Sequence, residues 1–145
     1  MRRFTTVVLP VVALLAAGCD NPADPSDEGP ETFSNANAIT IPSGAPATTS
    51  GPASPSASLI EVTGLSGSIT DLTVRIVALT HTFPDDIDVL LLGPQGQTVL
   101  LMSDVGGSLD VAGVTLTFDQ SAADSLPDGT QIVTGTFKPT NVGEG

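Results

Sequence analysis

The sequence predicts an all-β protein folded as a two-layer antiparallel β-sandwich, and three observations predict it. Fifteen Gly and twelve Pro in 145 residues interrupt the chain too often for long helices. Thr and Val are abundant, and branched side chains suit a pleated, half-buried surface better than a helix. From Phe33 onward, apolar runs of strand length recur between turn-rich stretches. Aromatic residues make up only 3% of the chain, with no Trp and no Tyr, so the core has to be built from Val, Leu and Ile with five Phe as its largest pieces.

The chain opens on MRRFTTVVLPVVALLAAGCD, a basic start followed by an apolar run and small residues just before the only cysteine. This is the three-part layout of a secretory signal, and the run is too short to span a bilayer stably. LAAGC, Leu15 to Cys19, resembles the lipobox of bacterial lipoproteins, which implies removal of residues 1–18 and lipidation of Cys19. Acylation there anchors the chain to a membrane of the bacterial cell envelope, facing the periplasm or the cell surface. Residues 19–31 then read as a flexible acidic tether, because DNPADPSDEGPE offers almost nothing to bury. With one cysteine there is no intrachain disulfide.

Residues 32–145 form the expected sandwich domain. AITIP, Ala38 to Pro42, reads as a first strand and the Pro/Ser/Ala-rich stretch after it as a surface loop. SLIEVTGL, Ser58 to Leu65, reads as a second strand. In GSITDLTVRIVALTHTF, Val74, Ile76 and Ala78 alternate with Thr73, Arg75 and Val77, a period of two that argues for strand, with both faces becoming buried toward His81. IDVLLLGPQGQTVLLMS reads as a hairpin turning at Gly93 to Gly96, since Pro presets the first turn angle and Gly accepts positive φ. GVTLTFDQ places Val114, Leu116 and Phe118 on one face and Thr115 and Thr117 on the other. QIVTGTF is a weaker final strand.

Four basic residues face sixteen acidic ones, a formal charge of −12. Phosphate backbones are repelled by such a field and divalent cations attracted, so nucleic acid is excluded as a partner. Within the expected sandwich domain the acidity is densest in HTFPDDIDVLLLGPQG, where His81 is followed by Asp85, Asp86 and Asp88. Hairpin pairing brings Asp104 to the same end, with Asp86 and Asp88 expected on one strand face. Carboxylates gathered there would repel one another, Arg75 and Lys138 being the only counter-charges, and a bound Ca²⁺ would relieve them. Asp110, Asp119 and Asp124 are further loop candidates for the same end. The alternative is that the aspartates are solvated turn formers, for no EF-hand loop is present. His81 oriented by Asp85 or Asp86, with Ser103 or Thr82 as nucleophile, would be a catalytic arrangement, but no serine-protease segment accompanies it. The other reading of His81 is structural, a ring closing one edge of the core. One His and one lipid-claimed Cys leave no ligand set for zinc.

The run SLIEVTGL…DVGG, with THTF ending a strand, the acidic step DDIDV and the LLGPQGQTVLLMS hairpin, resembles the P domain (P/Homo B domain) that follows the catalytic domain of subtilisin-like proprotein convertases, and more closely its bacterial cell-surface relatives. Asp86 stands where the family has its aspartate. The resemblance covers about Phe33 to the end and implies a jelly-roll-like, galactose-binding-like sandwich with no catalytic residues of its own. Such domains finish with an NGTW-type segment and closing strands, and nothing comparable follows KPTNVGEG, so the expectation is that the sandwich is truncated and lacks its last strands, or that the sheet closes differently or is completed by another chain. The function expected is a membrane-anchored binding or support module for a partner protein. Two alternatives accompany it: an accessory part of a subtilisin-like serine endopeptidase, and a surface carbohydrate-binding or adhesion module.

Overall fold

The computed structural model describes residues 11–14, 30–42 and 51–143; Cys19, tether residues 20–29 and loop residues 43–50 lie outside the described residues. The protein is all-β, with two small sheets. The larger contains β1 (Val11–Leu14), β2 (Thr32–Ser34), β3 (Thr73–His81), β6 (Val111–Phe118) and β7 (Gly135–Phe137) in the order β2-β1-β3-β6-β7. The smaller contains β4 (Val89–Leu92), β5 (Thr98–Ser103) and β8 (Thr140–Asn141) in the order β4-β5-β8. Val74, Ile76, Leu79, Leu116 and Phe118 from one sheet and Val89, Leu101 and Met102 from the other are buried in one hydrophobic cluster. Each such side chain withdrawn from water contributes about 1.5–3 kcal/mol before conformational entropy is charged against it.

Pairing is mixed rather than purely antiparallel as expected. β6 runs parallel to β7, and β5 runs parallel to β8. The final strands, three and two residues long, are separated by only two residues and join different sheets, so neither is set antiparallel to its partner by a hairpin turn.

The period-two pattern of β3 holds through Ile76 and then breaks. Ile76 pairs with Leu116 but Leu79 pairs with Val114, so one extra residue is accommodated on β3. Ala78 absorbs it at φ 58°, a left-handed conformation that costs a residue with a Cβ. Beyond the bulge Leu79 and His81 turn inward and Ala78 faces out. A compensating irregularity before His81 falls opposite Gly113, at φ +66°, whose N–H donates to Thr80 Oγ1 at 2.9 Å.

The hairpin forms with Leu92 opposite Thr98 and Leu90 opposite Leu100, then a bulge that sets Val89 against Met102. Gly93 N–H donates to Gln97 O at 2.7 Å across the turn, and Gly96 takes φ +85°. Two other expected strands do not form. Ala38 to Pro42 contributes a single bridge, Thr40 to Ser54. Ser58 to Leu65 pairs with no strand: Leu59 is 81% exposed, and the chain bends at Gly64 and Gly67, both at positive φ. An alternating pattern makes a strand only where a neighbouring edge accepts its hydrogen bonds. The loop expected wholly at the surface also differs, because Ala53 dips into the core.

Candidate functional site

The acidic residues gather where β3 ends and the hairpin begins. His81, 5% exposed, fixes that junction. Its Nε2 lies 3.0 Å from Pro42 O, while Nδ1 lies 3.1 Å from Phe83 N, which donates to it, and 2.8 Å from Phe83 O. The ring therefore ties the end of β3 to a segment 39 residues earlier in the chain. Pro84, buried, then opens a 3₁₀ turn over Pro84–Asp86, closed by Asp86 N to Phe83 O at 3.1 Å and Ile87 N to Pro84 O at 3.0 Å. Proline suits that position because its fixed φ starts the turn and its missing N–H is not needed there.

Across the hairpin, the pairing of Val89 with Met102 brings Asp88 beside Ser103. Ser103 Oγ lies 2.5 Å from Asp88 Oδ1 and 2.9 Å from Asp104 Oδ2, so a single hydroxyl proton stands between two carboxylates. Asp104 adopts φ 52°, and the backbone of Gly143 packs directly on its carboxylate, leaving no room for a Cβ. Gly106, at φ +81°, donates to Pro127 O at 2.8 Å and draws the loop containing Asp128 to the same end. Burial, followed by repulsion from Asp104, Asp86 and Asp128, raises the pKa of Asp85 above the ordinary carboxylate value.

The expected group of Asp85, Asp86, Asp88 and Asp104 is thus brought to one end of the molecule, but not onto a common point. Among the described residues, no three or more His, Cys, Asp or Glu side chains are placed to hold a metal ion. The expectation that Asp86 and Asp88 share a strand face fails because Asp86 belongs to the 3₁₀ turn and the strand starts only at Val89. Successive residues of such a turn are about 120° apart, which also separates Asp85 from Asp86. Asp119 is engaged locally, accepting from Ser121 N at 2.7 Å and Ser121 Oγ at 2.6 Å, and these bonds lower its pKa. Asp128 was not legible as a member, because its approach depends on the contact between Gly106 and Pro127.

The catalytic arrangement is not assembled. The hydrogen bonds of His81 go to backbone, and those of Ser103 go to Asp88 and Asp104. Arg75 is also remote from this end: it precedes His81 by six residues of strand, about 20 Å. There it lines an open concavity of about 420 Å³ on the larger sheet, together with Thr73, Thr115, Thr117, Thr134 and Thr136.

Comparison of the chain with protein-family models, with curated proteins and with solved structures gives no match. No helix among the described residues is long and apolar enough to cross a membrane.

Proposed function

We propose that the protein is a non-catalytic module of the bacterial cell envelope, of P-domain type with a jelly-roll-like sandwich, anchored through a lipid on Cys19 and serving to bind or support a partner protein. The observation that carries the non-catalytic part is the way the reactive side chains are used. His81 holds backbone segments together, and Ser103 is shared by two carboxylates, so neither activates the other. A fluorophosphonate probe applied to the full chain should label nothing; a label on Ser103 overturns this reading in favour of the endopeptidase alternative. Anchoring has its own test. A metabolically incorporated fatty-acid probe should label the wild-type chain and not Cys19→Ser, and an unlabelled wild type removes the anchor.

Calcium is the proposed counter-ion of the acidic end, supported by the crowding that raises the pKa of Asp85. Since no three ligands converge beforehand, side chains have to turn toward the ion, and binding is expected to be weak, with Kd on the order of 10⁻⁴–10⁻³ M. Millimolar Ca²⁺ should raise the melting midpoint, and Asp86→Asn with Asp88→Asn should abolish the rise. A midpoint identical in calcium and in chelator removes the ion.

The carbohydrate alternative has one observation of its own, the threonine hydroxyls arranged around Arg75. Hydroxyl-rich ligands and a guanidinium partner for a carboxylate fit that concavity. Uronate-containing oligosaccharides should then bind the wild-type chain and not Arg75→Gln; equal binding by both excludes the concavity.

A further inference from the structure

Residues 11–14 have two incompatible uses. In the sequence they belong to the apolar run of a leader, yet in the fold they form β1, an interior strand hydrogen-bonded on both sides. Val12, Ala13 and Leu14 pair antiparallel with Ser34, Phe33 and Thr32 on one side, and Val11 to Leu14 pair antiparallel with Ile76 to Thr73 on the other. Without β1, β3 keeps β6 as its only neighbour among the described strands, and its other edge is open to an incoming strand.

We propose that the position between β2 and β3 is a strand-acceptor site which, once residues 1–18 are removed, takes an extended apolar strand from a partner chain. This inference rests on the reading of the leader given under Proposed function. β1 itself defines the occupant's chemistry: four consecutive apolar residues, about 14 Å of extended chain, running antiparallel to both neighbours. Incoming positions opposite Val74 and Ile76 share the face of two buried residues and call for apolar side chains. The segment leading into β3 supplies a second observation, since it carries two exposed apolar residues, Ile69 and Leu72. Charge also selects. Arg2 and Arg3 leave with residues 1–18 while all sixteen acidic residues stay, so the processed chain carries two basic against sixteen acidic residues, a formal charge of −14. A partner strand flanked by Lys or Arg is therefore favoured in association. Main-chain pairing supplies the affinity and the alternate side chains the selection, as in strand addition generally.

The test compares two forms of the full gene product: the processed chain extracted from membranes, and Cys19→Ser, which retains residues 1–18. The probe is a fluorescent peptide, VVALL between lysine pairs. Saturable binding to the processed form is expected, with binding to the unprocessed form weaker on the order of tenfold because β1 already fills the site. A peptide with Pro in place of its Ala should bind neither form, because Pro cannot donate to the ladder. A processed chain that is unfolded alone but gains β-sheet circular dichroism on adding peptide also supports the site. Equal binding by both forms, or none by the processed form with or without folding, overturns the proposal and leaves the anchored-module reading standing. Intact mass showing residues 1–18 retained in the membrane fraction overturns both.

Discussion

His81 shows how one side chain decides between chemistry and architecture. Its ring is buried and faces the backbone of Pro42 and Phe83. Phe at this position would keep the volume and strand the Pro42 carbonyl and the Phe83 N–H without partners. His81→Phe should therefore cost about 1–3 kcal/mol in urea unfolding. No measurable loss would mean that the clamp carries no stability. Gly106 is the second such position: a Cβ there would stand 2.5 Å from Ile132 Cδ1 and 2.9 Å from Pro84 Cγ, at a φ of +81°. Gly106→Ala should destabilise by about 1–3 kcal/mol through overpacking and a strained backbone. Asp85 behaves oppositely. Its folded pKa lies above the value of about 3.9 expected when unfolded, so its ionisation weakens the fold at neutral pH. That loss is recovered as pH falls through the folded pKa and is fully recovered below the unfolded one. Asp85→Asn should accordingly melt higher than wild type at pH 7, with the advantage vanishing near pH 3; a lower midpoint at pH 7 would reverse the sign assigned to this site.

At the scale of elements, what could be read from the sequence was what local rules control. β3 and β6 announced themselves by alternation, and the hairpin by Gly-Pro-Gln-Gly, because period and turn chemistry are properties of neighbours in sequence. Asp104 could be brought to the end holding Asp88 by counting along that hairpin. Ser58 to Leu65 carried the same kind of pattern and became no strand, since only a partner edge makes one. The parallel placement of β7 and β8 and the approach of Asp128 depend on contacts between distant segments, on which the local pattern is silent. The bulge at Ala78 had no signature beyond the loss of alternation after Val77. It nonetheless decides which way Leu79 and His81 face. Inserting one further residue after Ala78 should send both to the solvent side, with a loss of about 2–5 kcal/mol from Leu79 alone, whereas Ala78→Gly keeps the register and changes stability by less than about 1 kcal/mol. Similar unfolding midpoints for the two variants would show that the bulge does not set the facing.

Across the whole molecule, the charge of −12 is unevenly placed. One end collects Asp85, Asp86, Asp88, Asp104 and Asp128 around a serine and a 3₁₀ turn, while Arg75 lies near the far end of β3. Self-repulsion of this kind opposes the compact state and is lessened by counter-ions. The carboxylates thereby act on the stability of the fold. The most direct measurement is the melting midpoint of wild type and Asp85→Asn across a calcium titration from chelator to the millimolar range. Calcium should raise the wild-type midpoint, and Asp85→Asn should melt higher than wild type in chelator and gain less from the ion. Midpoints that coincide for the two proteins and do not move with calcium would contradict a structural role for the crowded acidic end.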